Sequence, residues 1–344
     1  MKHIKAGYVY HHELKNFTAE DANRLDVINI AFGLVKDGAV YFPHPDDLAE
    51  LPRIREANPD LRIVISVGGW GAGGFSPAVA TEEGRKKFAD SCLALAEQWN
   101  LDGIDIDWEY PGLDWAGIEA SPDDQVNYTL LLQAVRDAFN AAGHTDWLLT
   151  VAVGCDRYFI EHTEMDKVAK ILDYVSLMTY DMRGCGEPFT GHHTNLLPYA
   201  DCDGNPRGRR SVLHSVTIYE KAGVPREKLI VGIAFYSRMW KDVEGEGVEH
   251  GLRANAGPGD YGPGYSDILR DYMSKGDFVE YWDEDCKAPY LFDGKTFISY
   301  DNERSIAEKC RFVKENGLLG VMYWEHSCDA TRTLLKALDE GMKE

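Results

Sequence analysis

Eight short runs rich in Val and Ile, amphipathic stretches between them and a length of 344 residues predict an α/β fold, a (β/α)8 TIM barrel. The runs are AGYVY (6–10), VINIAFG (27–33), LRIVISVGG (61–69), DGIDID (102–107), WLLTVAVG (147–154), YVSLMTY (174–180), LIVGIAFY (229–236) and LLGVMYW (318–324). Many show little apolar–polar alternation, as expected of parallel strands buried on both faces. A doubly wound open sheet is the alternative, and the absence of a GxGxxG turn after the first run weakens it.

The segments between the runs read as helices. In 82–99, Phe88, Cys92, Leu95 and Trp99 recur at spacings of three and four, one face of a helix. In 123–143, Ser121 and Asp123 offer N-caps and Gly143 a stop. Residues 303–317 again end on Gly. The alternation breaks after the seventh run, where 241–297 is rich in Gly, Pro, Tyr and Asp and then holds short β-like pieces (FVEYWD, PYLFDG). Its aromatic content exceeds that of a chain unable to bury it, so it reads as a small α+β insertion rather than a disordered linker. Residues 1–240 and 298–344 then form the barrel.

The formal net charge of −21 argues against nucleic acid or an anionic membrane surface as partner. No run reaches the 18 or so apolar residues of a membrane span. The seven cysteines are scattered and form no CxxC pair, which suits free thiols in a reducing compartment. The start, MKHIKAGYVY, lacks an apolar core and a small-residue cleavage site, so the chain as it stands reads as cytoplasmic. It would be extracellular if a signal peptide has been removed. A monomer is expected.

The stretch LDGIDIDWEYPG (101–112) sets Asp102, Asp105, Asp107 and Glu109 within eight positions, although Asp is a poor strand former. On a strand, residues two apart share a face, so Asp105, Asp107 and Glu109 point one way and Asp102 falls out of phase at the strand's entrance. Ile104 and Ile106 demand burial on the other face, which disfavours a solvated edge. The acidic face must be the barrel lumen, and its line runs to the C-terminal mouth, where barrel active sites lie. A divalent metal is a second reading, although such a site calls for more oxygen ligands than this row supplies. The third is acid–base chemistry. Two aspartates about 6–7 Å apart in a poorly hydrated lumen cannot both ionise cheaply, so Asp105 and Asp107 are expected to share a proton. Glu109, at the mouth, is placed to be a general acid whose pKa its anionic neighbours raise.

The pattern DxxDxDxE, with Trp108 at its seventh position, resembles the signature of family 18 glycoside hydrolases, the chitinase family. SVGGW (66–70), MTYD (178–181), GIAFYSRMW (232–240) and GVMYWE (320–325) are similar to that family's third-, sixth-, seventh- and eighth-strand motifs. The 241–297 insertion lies where many chitinases carry their insertion domain. The resemblance covers essentially the whole chain. It implies a cofactor-free, retaining hydrolysis of chitin or chito-oligosaccharide in which the substrate's own N-acetyl oxygen attacks the anomeric carbon and gives an oxazolinium ion. Glu109 would protonate the glycosidic oxygen and then activate water. Asp107 would orient the acetamido group, with Asp105 holding the proton that lets it do so. Tyr180 would bond the acetamido oxygen, and Asp181 would contact the sugar beside it. Tyr8 and Ser66 would support Asp105, and Trp324 would stack on the central sugar. Trp70, Arg238 and Trp240 would fall along the flanking subsites, and Gly69 and Met178 would also bind substrate.

Ala234, Ser237 and Met239 depart from the seventh-strand pattern. An endo-β-N-acetylglucosaminidase would usually lack the insertion and the Trp at 108. A peptidoglycan hydrolase would often carry Asn at the second acidic position and a wall-binding repeat. A lectin relative would typically have lost the final acid, which is present here as Glu109. Cys185, His192 and His193, on the loop after the sixth run, lack a ligand set and read as surface residues rather than as a metal site.

Overall fold

The computed structural model describes residues 3–184, 186–199, 209–244 and 253–343. All eight predicted runs form strands: β1 (Ile4–Tyr10), β2 (Val27–Lys36), β3 (Arg62–Gly68), β4 (Gly103–Asp107), β5 (Leu148–Gly154), β6 (Tyr174–Met178), β7 (Leu229–Ala234) and β8 (Gly320–Trp324). Each pairs in parallel with the next, and β8 returns to β1, which closes the barrel. β2 continues past its predicted end into a hairpin with Ala39–Tyr41.

The outward side chains of the strands pack on the helices in one large core, which contains Ile63, Ile65, Ile104, Ile106, Val151, Val153, Val231 and Val321. The lumen is of mixed character. Ala6, Val27, Val64, Ile230 and Met322 fill part of it, and Tyr8, Asn29, Ser66, Asp105, Thr150 and Ser176 supply buried polar groups.

Helices occupy Glu82–Gln98, Asp124–Ala141 and Glu303–Glu315. Phe88, Cys92 and Leu95 are buried as their spacing predicts. The expected caps of the second helix differ, because Asp123 makes no side-chain cap bond. Asp124 anchors the entrance instead: its carboxylate accepts from Ser121 N, Gly112 N and Ser76 Oγ and so ties the loop after β4 to the helix.

The insertion is a five-stranded antiparallel sheet with strands in the order 253–264, 236–244, 297–299, 288–292, 279–283. It starts at Tyr236, two residues after β7, and ends at Ser299, so its bounds lie slightly outside the expected 241–297. Where the chain returns to the barrel, Asp301 accepts from Ala234 N at the end of β7, and the fully buried Lys309 donates to Asp301 and to Thr194, each at 2.6 Å. One buried ion pair thereby joins β7, the insertion's exit and the loop after β6. Among the described residues no helix is long and apolar enough to cross a membrane. Of the described cysteines, 92, 155, 310 and 328 are free thiols.

Candidate active site

A cleft of about 1430 Å³ opens at the C-terminal mouth of the barrel, and Asp107, Glu109, Tyr180, Asp181 and Trp324 line it. Its depth follows from strand parity. Asp105 sits fully buried beneath Asp107 and receives Oγ1 of Thr150 at 2.7 Å, Oγ of Ser66 at 2.7 Å and the Tyr8 hydroxyl at 2.9 Å. These hydroxyls belong to β1, β3 and β5 and can donate or accept, so the cage accommodates either protonation state of Asp105. Burial raises the Asp105 pKa, and the three hydrogen bonds offset part of that rise. Asp102 lies out of phase at the strand entrance as expected, where its carboxylate accepts from Ile63 N and pairs with Arg55.

Asp107 differs from Asp105. Its Oδ1 is buried without a hydrogen-bond partner among the described residues. Burial pushes its carboxyl well above the usual range, the charge of Glu109 adds to this, and the charge of Asp105 comes third. The expected pairing of Asp105 with Asp107 is thus the weaker coupling, because Glu109 acts on Asp107 more strongly than the caged Asp105 does. Glu109 is pushed up to about 7, chiefly by burial, with Asp181 adding to the rise and a Tyr110 hydrogen bond opposing it. The sequence expectation ascribed that rise to anionic neighbours; desolvation is the larger cause. A carboxyl held near 7 in an open cleft can give up a proton and take it back at neutral pH.

Asp181 lies at the opposite extreme. Burial would raise its pKa, but the His193 ring and the Arg238 guanidinium override that and hold the carboxyl well below the usual range. Arg238 donates through Nε to Asp181 Oδ1 at 2.7 Å. Asp181 is therefore a carboxylate tethered by Arg238, with its ionised form favoured. Tyr180 stands edge-on to Tyr236, and its hydroxyl points at Met322 Sδ, 3.9 Å away.

Trp324 forms the floor, stacked on Phe32 at 5.4 Å and flanked by Tyr8 and Tyr10. Trp70 stands 64 % exposed on the rim, free to meet a ligand face. Gly68 and Gly69 explain the SVGGW spacing. They adopt φ of +122° and +91°, and a Cβ on Gly68 would lie 2.0 Å from the Asp107 carbonyl. Only glycine lets β3 come this close to β4, where Gly69 N donates to that same carbonyl.

Met178 and Arg238 line the cleft as expected, and Trp240 does not. Trp240 is fully buried with Phe297, Tyr290 and Phe292 in the insertion's core, its Nε1 donating to Glu187 O, because the loop after β6 covers that end of the sheet. Ser237, a departure from the seventh-strand pattern, donates to Pro263 O and ties the first insertion strand to its neighbour. His192 and His193 are not surface residues: both are fully buried, His192 against Asp283 and His193 against Asp181 and Tyr236. Cys185 lies outside the described residues.

Sequence reasoning missed Tyr110, Trp115, Tyr158 and Tyr261, which also line the cleft. Trp115 packs edge-on against Tyr110 and Tyr158, and Tyr261 stacks on Tyr236 at 4.6 Å. Their one signal was position, since each lies in a segment that follows a strand's C-terminal end or in the insertion.

The family model "Glycosyl hydrolases family 18" matches residues 5–329. Chitinase A1 of Niallia circulans is 36% identical over 313 residues, which are 86% of this chain and 44% of that protein. Chitotriosidase-1 of Mus musculus is 33% identical over 82% of this chain and 62% of its own length. The chain thus spans about half the length of these two relatives. A solved structure described as a family 18 N-acetylglucosaminidase from Paenibacillus barengoltzii superposes with a TM-score of 0.94 at 48% identity, covering 98% of this chain and 99% of that one. With the acidic strand, the glycine approach and the aromatic floor in place, the chain belongs to the glycosyl hydrolases family 18.

Proposed function

We propose that the protein hydrolyses β-1,4 linkages between N-acetylglucosamine units of chitin and chito-oligosaccharides, with retention and through an oxazolinium intermediate. The observation that carries this reading is the buried, unpartnered Oδ1 of Asp107 beside Glu109. A two-carboxylate glycosidase needs an ionised second carboxylate free to attack or to activate water. Asp107 has its pKa raised and is a poor nucleophile, and Asp181 is tied to Arg238. The substrate's acetamido oxygen remains as nucleophile. Its N–H is the donor that Asp107 Oδ1 lacks, and such a bond would strengthen as positive charge develops on the nitrogen. Glu109 would protonate the leaving oxygen and then take a proton from water. Tyr180 would hold the acetamido oxygen in line, and Trp324 the apolar face of the sugar.

Comparing turnover of acetylated and fully deacetylated oligomers tests the mechanism. Activity is expected only where the N-acetyl group is present, together with inhibition by a thiazoline analogue of the oxazolinium ion. Full activity on the deacetylated oligomer would sink the reading. A second reading, release of single N-acetylglucosamine units from short oligomers, is favoured by the similarity over nearly the whole of both chains to the Paenibacillus N-acetylglucosaminidase. The products of chitohexaose over time separate the two. Early monomer marks the second, and early dimers and longer products mark endo cleavage.

A further inference from the structure

At the rim of the barrel mouth, outside the cleft, His11, His44 and Asp47 come together from segments more than thirty residues apart in sequence. Each offers a ligand atom, and these atoms lie within 4.8 Å of one another. His11 opens the short helix His11–Asn16 that follows β1. His44 caps the short helix Pro45–Glu50, and Asp47 lies in that helix's first turn. The His11 Nδ1 and Asp47 Oδ2 are 2.6 Å apart. The His44 ring lies flat on the His11 ring, centroids 3.9 Å apart and planes within 10°. Phe42 meets His11 edge-on at 6.1 Å.

From this geometry we infer that His11, His44 and Asp47 form a binding site for one borderline divalent metal ion of the Zn²⁺ class, with water as the fourth ligand. Two imidazoles and one carboxylate suit such an ion, whereas Mg²⁺ and Ca²⁺ prefer all-oxygen sets. Tetrahedral coordination with bonds of about 2.0–2.2 Å requires ligand atoms about 3.3–3.5 Å apart. The stacked rings lie in near-parallel planes, so the exposed His44 ring must turn out of the stack, and Asp47 must draw back from 2.6 Å, before the three lone pairs converge on one ion. The ion takes the place of the proton between His11 Nδ1 and Asp47, and that proton leaves to solvent. Strong negative net charge favours the cation's approach. The ion would pin the 42–47 segment to the end of β1, where Tyr10 packs on Trp324 at 5.3 Å. The site is thus a clamp beside the cleft floor rather than part of the acid–base chemistry, and it stands independently of the proposed hydrolysis.

Isothermal titration of the metal-free chain with Zn²⁺ alone, checked by the visible spectrum of Co²⁺, tests the site. One equivalent is expected to bind, with a thermal transition that rises as Zn²⁺ is added. His44→Ala and Asp47→Asn should each weaken binding by at least the roughly 10–100-fold that even outer-shell partners contribute. His144→Ala should leave it unchanged, because His144 stacks on Trp147 and pairs with Glu97 instead. Circular dichroism of each variant establishes that the fold is retained. Absence of binding at millimolar Zn²⁺, or binding that both His44→Ala and Asp47→Asn leave intact, overturns the assignment.

Discussion

Tyr110→Phe isolates the force that opposes the raised pKa of Glu109. Burial pushes that carboxyl to about 7, and the Tyr110 hydrogen bond favours its ionised form. The phenol's own pKa is raised well above its usual value, so it remains a neutral donor throughout the working pH range. A hydrogen bond to a charged group contributes about 1.5–3 kcal/mol. One pKa unit corresponds to about 1.36 kcal/mol, so its loss would raise Glu109 by about 1–2 units before relaxation. Water entering from the open cleft replaces part of the bond, and a net rise of about one unit is expected. Glu109 must be protonated to act as an acid, so the basic limb of the kcat/KM profile lies near 7 in the native protein and should move to about 8 in the variant. At about pH 8 the protonated fraction rises from roughly one-tenth to one-half, so the variant retains about five times more of its plateau activity. The assay is kcat/KM on a fluorogenic chitobioside across about pH 5–9, each profile scaled to its own plateau. A limb that stays in place, or moves toward acid, refutes the assignment of that limb to Glu109 or the stated sign of the Tyr110 bond.

Glu109→Gln should lower turnover by about 10²–10⁴-fold while calorimetry still detects chito-oligosaccharide binding, since the amide keeps the shape and loses the proton. Lys309→Ala leaves Asp301 buried without its cation and should lower stability by about 3–5 kcal/mol in urea unfolding; a change under about 1 kcal/mol would show that the pair at 2.6 Å contributes little. Gly68→Ala should destabilise by about 3 kcal/mol or more, because its Cβ meets the Asp107 carbonyl at 2.0 Å in left-handed backbone. Unchanged melting with wild-type activity would contradict that reading. Trp70→Ala, at a 64 % exposed rim position, should leave the melting temperature nearly unchanged and raise KM several-fold for long oligomers.

The order of the strands, the lumenal face of the acidic row and the position of the insertion were legible in the sequence. Each depends on a short-range rule. Runs of Val and Ile identify strands buried on both sides, and the two-residue period of a strand assigns Asp105 and Asp107 to one face whatever surrounds them. Asp102 was likewise assigned to the entrance by parity alone, and it lies there, pairing with Arg55. Other features depended on what distant segments cover. Trp240 has the sequence neighbourhood of a cleft residue, yet the loop after β6 closes over it. His193 resembles a loop surface residue and lies fully buried against Asp181. The pKa order followed the same principle, because desolvation by the whole barrel raises Glu109 more than its acidic neighbours do. The sequence by itself therefore determined which residues share a strand face, since that is a property of local backbone geometry. Only the tertiary structure decided which of them are buried, caged or left without a partner, because burial and electrostatics sum over every segment that closes around them.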